Sequence, residues 1–375
     1  MDRSACTNTN RIRRLIAESG LDAVVAIAPE NVTHCSGYYN LDQRLLPENL
    51  HACVWTAEGE PTLIIPERER KLETFVRDVR EHRAYGDFDE QGLDLLAEAL
   101  RARGTERGRV GLDLRRMSAI HLRGLEARLP ELKVDDATAL FGRMRLVKAP
   151  EEIAILRRAA VATEKAIAIG YAQAAPGNTE KSVVDAMDCH LEKLGAEAVA
   201  FNVMASGERT VQGHHRAELA PIAEGDVLRV DYGGLFDGYY TDLVRMAVVG
   251  RPSDRQRTAY EKCYAVHQRC LAVLRPGITG HQIYELAVAA YAEVGLPLTR
   301  DMFGHSIGLA VHERPVFCAG DDWALEPGVV VCVENGYTDF EHKERYHVED
   351  MLVITENGSE LLSTYSDPAT MNVIT

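Results

Sequence analysis

"RVDYGGLFDGYYTDLVR", residues 229–245, reads as two β-strands around a Phe-Asp-Gly turn, with Asp231 in one strand and Asp242 in the other. Aspartate is depleted in strands because it buries badly and competes for backbone hydrogen bonds. Two of them in one hairpin need a neutralising partner. If Phe236 and Asp237 form the loop, the two aspartates are direct cross-strand neighbours; if Asp237 and Gly238 form it, they are diagonal neighbours. Either way they share a face. Within the hairpin Arg245 reads as the nearby cation, and one cation does not balance two anions.

Moving outward, the hairpin belongs to an internal repeat. "PGNTEKSVVDAMDCHLEKLG" begins at Pro176 and "PGITGHQIYELAVAAYAEVG" begins at Pro276, one hundred residues later. Each copy has Pro-Gly-x-Thr, then an amphipathic helix, then Gly195 or Gly295 as C-cap. The apolar faces are Val183, Met187 and Leu191 in the first, and Ile283, Leu286, Ala287 and Ala290 in the second. Two such helix and hairpin units imply a pseudo-symmetric domain.

The repeat predicts a second acidic hairpin, and "GVVVCVENGYTDFEHKERYHVEDMLVITENG", residues 328–358, supplies it with Glu334 and Glu349. Four carboxylates then line one cleft. In a low-dielectric site they repel by several kcal/mol unless protonated or bound to cations. Two further segments carry histidine. "FGHSIGLAVHERP" contains His305 and His312 among glycines, which allow a close approach to a bound group. "VQGHHRAELAPIAEGD" contains His214, 17 residues before Asp231, and the adjacent His215.

The bulk properties leave room for such a site. The chain has 375 residues, is 46% hydrophobic and has no apolar run approaching membrane-spanning length, so it reads as a water-soluble protein of two domains. A net charge of −15 disfavours nucleic acid and anionic membranes as partners. The eight cysteines are scattered without a Cys-x-x-Cys pair, which fits reduced thiols. "MDRSACTNTNRIRRL" lacks an apolar core before a small-residue cleavage site, so a cytoplasmic location is the expectation.

Before residue 147 the pattern alternates. A helix capped by Asn8 or Thr9, "LDAVVAIA" as a buried strand, "ACVWTAEGEPTLIIP" as a hairpin, "GLDLLAEALRARG" as a helix and "GRVGLDL" as a strand make an α/β domain. In "RLVKAPEEIAILRRAA" a long helix begins, with Pro150 suited to its first turn. The expected domains are residues 1–146 and 147–375.

Asp231, Asp242, His305, Glu334 and Glu349, in that order, together with "GHSIGLAVHE", resemble the pita-bread metallopeptidase family, which includes methionine aminopeptidases, Xaa-Pro aminopeptidases and prolidases. The resemblance covers residues 147–370. "GLDAVVAIAPENVTHCSGY" resembles the creatinase/prolidase N-terminal domain and points to the two-domain members. The implied fold class is α/β (α+β): an N-terminal creatinase/prolidase-like α/β domain and a C-terminal pseudo-two-fold pita-bread domain. The resemblance implies two divalent metal ions, with Asp231 on one, Asp242 and Glu349 bridging both, and His305 and Glu334 completing the other. A metal-bridging hydroxide would attack the amide carbonyl of an Xaa-Pro dipeptide or an N-terminal Xaa-Pro peptide. Glu334 would relay the proton, and His214 and His312 would hydrogen-bond the carbonyl and the tetrahedral intermediate. The oxygen-rich ligand set suits Mn, Co or Fe, and zinc is compatible. A homodimer is implied, with a small peptide or small amide as substrate.

Two positions depart from the proline-specific pattern. His347 stands where those members commonly have arginine, with Arg345 two residues earlier, and Glu334 is followed by Asn335-Gly336. If dipeptides are cleaved, Arg345 or a partner-subunit residue is the expected carboxylate anchor. The alternative reading is a creatinase-like or ectoine-hydrolase-like C–N hydrolase, against whose metal-free form the complete ligand set argues. A non-catalytic binding module and a sulfonium lyase are further readings. Gly233, where the lyase would need an acidic ligand, disfavours the last.

Overall fold

Two units partition the chain, Met1–Glu151 and Glu152–Thr375. The computed structural model describes residues 6–40, 42–46, 48–69, 79, 81–86 and 91–375; residues 1–5 of the leader reading lie outside them. The division falls five residues beyond the expected 146/147 boundary because residues 147–151, with buried Lys148, group with the first unit.

The first unit has helices α1 (Thr9–Ser19), α2 (Pro29–Ser36), α3 (Asp42–Leu45), α4 (Gln91–Arg101), α5 (Ala119–Arg128) and α6 (Thr138–Leu146). Its strands β1 (Ala23–Ala26), β2 (Ala52–Trp55), β3 (Thr62–Pro66), β4 (Glu81–Tyr85), β5 (Arg109–Leu112) and β6 (Lys133–Asp136) form one sheet in the order β4-β3-β2-β1-β5-β6. Asn8 caps α1, its side chain accepting from Arg11 N at 3.0 Å. All four β1 residues are buried because the sheet is covered on both faces. Val24 packs with Ile12, Ile16 and Phe141 of α1 and α6, while Val25 packs with Leu96 and Leu125 of α4 and α5. The pleat sends successive side chains to opposite faces.

The second unit carries the repeat. Helix α7 (Pro150–Ala172) leads into α8 (Glu180–Lys193), then strands β7 (Ala198–Ser206), β8 (Val227–Phe236), β9 (Tyr239–Tyr240) and β10 (Leu243–Val249). Helix α9 (Asp254–Val273) leads into α10 (Gly280–Val294), then β11 (Met302–Ser306), β12 (Glu313–Cys318), β13 (Val330–Asp339) and β14 (Glu344–Ile354). Two short strands, β15 (Ser359–Leu361) and β16 (Asn372–Ile374), pair with β14 and β10. The main path is β12-β11-β13-β14-β10-β8-β7, so β14 and β10 meet at the centre and each half recedes from them. Both halves reuse the same local devices. Thr179 and Thr279 each close a capping box, and they bridge to Pro221 and Ala324. Gly177 N and Gly277 N donate to Ile222 O and Leu325 O, both at 2.8 Å.

Two expectations need correction. Leu286 is 44% exposed, since the buried stripe of α10 runs through Ile283, Ala287, Ala290 and Tyr291. Helix α8 ends on Leu194 as C-cap, with Gly195 following it, whereas α10 ends on Gly295. No helix among the described residues is long and apolar enough to cross a membrane, and Cys35, Cys53, Cys189, Cys263, Cys270, Cys318 and Cys332 are free thiols.

Candidate metal centre and active site

The loop between β8 and β9 is Asp237-Gly238, both at positive φ (49° and 79°), which two-residue hairpins of the twist-matched type require. Its register continues into β10 as Tyr232 opposite Leu243 and Asp231 opposite Val244, so Asp242 sits diagonal to Asp231. A side chain at Gly233 would begin 2.3 Å from both Thr241 O and the Phe201 ring, so no acidic ligand fits there. In the other hairpin Glu334 is paired directly with Glu349, and Val244 pairs with Glu349 across the central strands. The four carboxylates therefore converge from β8, the start of β10, β13 and β14.

His305 joins them from β11. Its Nδ1 donates to Ser306 O at 3.1 Å, which leaves Nε2 as a lone pair 3.6 Å from Asp242 Oδ2 and 3.9 Å from Glu349 Oε1. Burial, with His312 beside it, pulls this imidazole down to about 4, so it stays neutral and able to ligate. The His312 ring lies 4.0 Å from that of His305. His312 and His214 line a cavity of about 910 Å³ together with Asp231, Asp242, Glu334 and Glu349. His215 does not line it. That ring is buried, with Nδ1 3.2 Å from Gln212 Oε1 and Nε2 3.4 Å from Glu180 Oε2.

The charge balance tests whether cations fit. Burial and mutual repulsion push Asp242 and Glu349 far above the usual carboxylate range, and burial also raises Asp231, against Arg229. Asp242 Oδ1 and Glu349 Oε1 are buried without a hydrogen-bond partner. Such an orphaned acceptor costs about 1–3 kcal/mol, more when charged. The donor atoms of Asp231, Asp242 and Glu349 lie within 4.8 Å of one another, as do those of Asp242, His305 and His312 and those of His305, Cys332 and Glu349. Oxygen-rich donors, a neutral imidazole nitrogen and unfilled lone pairs fit divalent cations.

Three arginines on the cavity complete the electrostatics, and the sequence reading missed two of them. Arg245 is not the hairpin's counter-ion. It lies an odd number of residues from Asp242, so it points to the opposite face, where it binds Glu164 Oε1 at 2.8 Å and Asp350 Oδ1 at 2.7 Å. Arg229 takes that place, its Nη1 3.6 Å from Asp231 Oδ2. Strand alternation was the available signal, since Arg229 stands two residues before Asp231. Arg300, just before β11, donates to Glu334 Oε2 through Nη2, and its Nη1 lies 3.0 Å from His347 Nε2, the ring nitrogen that stands 3.2 Å from the same carboxylate oxygen. Burial pushes the Glu334 carboxyl up, but Arg300, His347 and His305 together outweigh it and hold the group well below its ordinary value. No sequence pattern marked Arg300, which lies outside any repeat or strand. Arg345 is the third.

Comparison with known proteins agrees with this construction. Residues 9–147 match the creatinase/prolidase N-terminal domain and residues 154–356 match metallopeptidase family M24. The chain is 31% identical over 236 residues to the Xaa-Pro dipeptidase of Pyrococcus furiosus, an alignment covering 62% of this chain and 66% of that protein. The aligned part thus spans just under two thirds of that relative. Among solved structures, dipeptidase PepE from Mycobacterium ulcerans superposes with a TM-score of 0.82 at 28% identity, covering 98% of this chain and 99% of that one. X-Pro aminopeptidase from Thermotoga maritima superposes with a TM-score of 0.82 at 26% identity, covering 98% and 100%. Matched over more than half its length, with a pita-bread unit behind a creatinase-type unit, the chain belongs to metallopeptidase family M24.

Proposed function

We propose that this chain is a metal-dependent hydrolase of the amide bond in Xaa-Pro dipeptides or N-terminal Xaa-Pro peptides. The observation that carries the reading is that Asp231 and Glu334 each share a donor cluster with Glu349, that the Nε2 of a neutral His305 lies beside Asp242 and Glu349, and that buried oxygens of Asp242 and Glu349 are left unpartnered among the described residues. These five residues would hold two divalent ions, of which Mn, Co and Fe best match the oxygen-rich donors and Zn is compatible. Such ions supply Lewis-acid polarisation of a carbonyl and a lowered pKa for water.

The chain's own groups do the rest. Arg300 and His347 engage Glu334 Oε2, so the carboxylate is kept ionised, the form that both ligates and accepts a proton. Its Oε1 is then the atom that would take a proton from water and return it to the leaving nitrogen. His214 and His312 both line the cavity, and in this reading they would donate to the scissile carbonyl and to the negative charge that develops on its oxygen. Val199, Phe201, Val203, Met302 and Val311 give the cavity an apolar lining suited to a pyrrolidine ring and a neighbouring side chain.

The test is a substrate panel on protein stripped with chelator and reloaded with Mn(II): Xaa-Pro dipeptides, Xaa-Pro tripeptides and small cyclic or acylated amides. Turnover of the proline peptides is expected. Hydrolysis confined to the small amides would replace this reading with the C–N hydrolase one.

A further inference from the structure

Cys332 lies inside the donor cluster yet outside the five-residue set that the peptidase reading uses. On β13 it sits two residues before Glu334, so the pleat turns both side chains to one face. It pairs directly with His305 across to β11, and its partner across to β14, Met351, is two residues beyond Glu349. Three strands therefore bring a sulfur, an imidazole nitrogen and a carboxylate oxygen together, and the donor atoms of Cys332, His305 and Glu349 lie within 4.8 Å of one another. Among the described residues no other cysteine belongs to such a group.

A buried cysteine is ordinarily a small apolar filler, as Cys35 and Cys53 are in the core of the first unit. Cys332 differs in what faces it. Its thiol donates to Asp242 O at 3.7 Å, a backbone contact that leaves the sulfur lone pairs available. Glu349 Oε1 is buried without a hydrogen-bond partner, and the His305 Nε2 lone pair stands 3.9 Å from it. A tetrahedral zinc ion separates its nitrogen and oxygen ligands by about 3.4 Å, and its sulfur from either by about 3.6 Å. The His305 to Glu349 spacing is thus within about 0.5 Å of what such an ion needs. Cys332 and His305 are buried and do not line the cavity, so they stand behind the Asp242 and Glu349 carboxylates that do.

Donor softness then separates metals. A thiolate selects soft, thiophilic ions such as Zn(II) and Cd(II), whereas carboxylates suit Mn(II). An ion on the triad would displace the thiol proton to solvent. It would also take His305 and Glu349, which the oxygen-rich pair of ions needs, so the two occupancies exclude each other.

We propose that His305, Cys332 and Glu349 form a soft-donor site for one thiophilic divalent ion, Zn(II) or its heavier congener Cd(II), which competes with Mn(II) occupancy of the same centre. The proposal rests on His305 and Glu349 being metal donors, as in the reading above, and is independent of the peptide substrate.

The experiment titrates Cd(II) into chelator-stripped wild type, Cys332→Ser and Cys332→Ala while ultraviolet absorbance is recorded. A sulfur-to-cadmium charge-transfer band is expected in wild type, saturating at about one ion per chain, as a single tetrahedral site would, and absent from both variants. Zn(II) affinity, read by competition with a chromophoric chelator, should fall by about 10- to 100-fold in Cys332→Ser, the size of loss that changes around a metal site commonly produce. Mn(II) affinity, read from the electron paramagnetic resonance signal of the free ion, should change by a much smaller factor. Zn(II) added to Mn(II)-loaded wild type should release Mn(II), and Cys332→Ser should resist that release. Melting curves in chelator check that the variants are folded, and either one suffices for the comparison. A band that persists in the variants, Zn(II) affinity unaltered by the substitutions, or wild type that binds Cd(II) without the band overturns the proposal alone. Failure of wild type to bind Mn(II), Zn(II) or Cd(II) overturns the metal centre and the proposal together.

Discussion

Asp242 and Glu349 are where the local rules of sequence and structure conflict most sharply, since each holds a buried oxygen with no partner among strands that would otherwise be apolar. Removing either carboxylate would take a donor from the proposed metal cluster and leave its neighbours uncompensated. Asp242→Ala and Glu349→Ala should each abolish peptide hydrolysis and lower bound metal from about two ions per chain, the number the five-residue donor set would hold; full activity in chelator with no metal by elemental analysis would defeat this. His312 separates from the ligands. Although its nitrogen lies within 4.8 Å of Asp242 and His305 donors, we assign it to the substrate oxygen. His312→Ala should then lower kcat by about 10² to 10³ with metal content unchanged, and loss of metal would transfer it to the ligand set. The carboxylates were legible in the sequence because acidic residues inside strands break a strong preference. Arg300 was not, because arginine is ordinarily a solvated surface residue and its burial appears only once partners from distant segments meet.

Elements of the second unit were legible wherever a short-range rule governs them. Pro-Gly-x-Thr at 176 and 276 announced the starts of both helices, where the structure has capping boxes, and the second acidic hairpin followed from the repeat. The choice between a direct and a diagonal Asp231/Asp242 pairing was not legible, because it turns on which two residues take positive φ. Nor was the anchoring of the His214 segment, which depends on Glu180 at the start of α8. Glu180 Oε1 accepts from Ser206 N at 2.7 Å, Ser206 Oγ at 2.8 Å and Arg209 Nε at 2.8 Å, and Oε2 accepts from Glu218 N at 3.1 Å. Burial alone would raise this carboxyl, but these donors outweigh it and the net shift is downward. A carboxylate depressed in the folded state adds stability above its unfolded pKa, about 4.3, and loses it as pH falls through the lower folded value. Glu180→Gln should therefore destabilise by about 1–3 kcal/mol at pH 7 by turning an amide group onto donors. The gap in melting temperature to wild type should close as the pH is lowered below that range. A gap that stays constant with pH would show that the charge of Glu180 contributes nothing. Because the same segment carries His214, kcat is expected to fall in this variant even where the protein remains folded.

At the scale of the whole molecule, the pseudo-two-fold unit concentrates its electrostatic cost where β14 and β10 meet. Glu349 is paired across to Val244, and Asp242 stands just before β10, so the two halves bring their acidic hairpins against each other at the centre of the sheet. Without cations this junction holds carboxylates that burial and mutual repulsion both disfavour, offset by Arg300 on Glu334 and Arg229 on Asp231 but, among the described residues, by no arginine or lysine paired with Asp242. Stability elsewhere must exceed that cost, which the continuous apolar packing behind the strands allows, with Val230, Val244, Val331, Val333 and Val348 all fully buried. Two opposite consequences follow for one substitution. Asp242→Asn keeps the shape but removes a charge, so in chelator it should melt higher than wild type, as expected when a functional site is strained against stability. With Mn(II) at one hundred times its dissociation constant, wild type should gain about 2.7 kcal/mol from binding linkage, and Asp242→Asn should gain far less, so the order of the two melting temperatures should invert on adding metal. If wild type melts above Asp242→Asn in chelator as well, the carboxylate cluster is not under electrostatic strain, and the case for cations at this junction loses its physical basis.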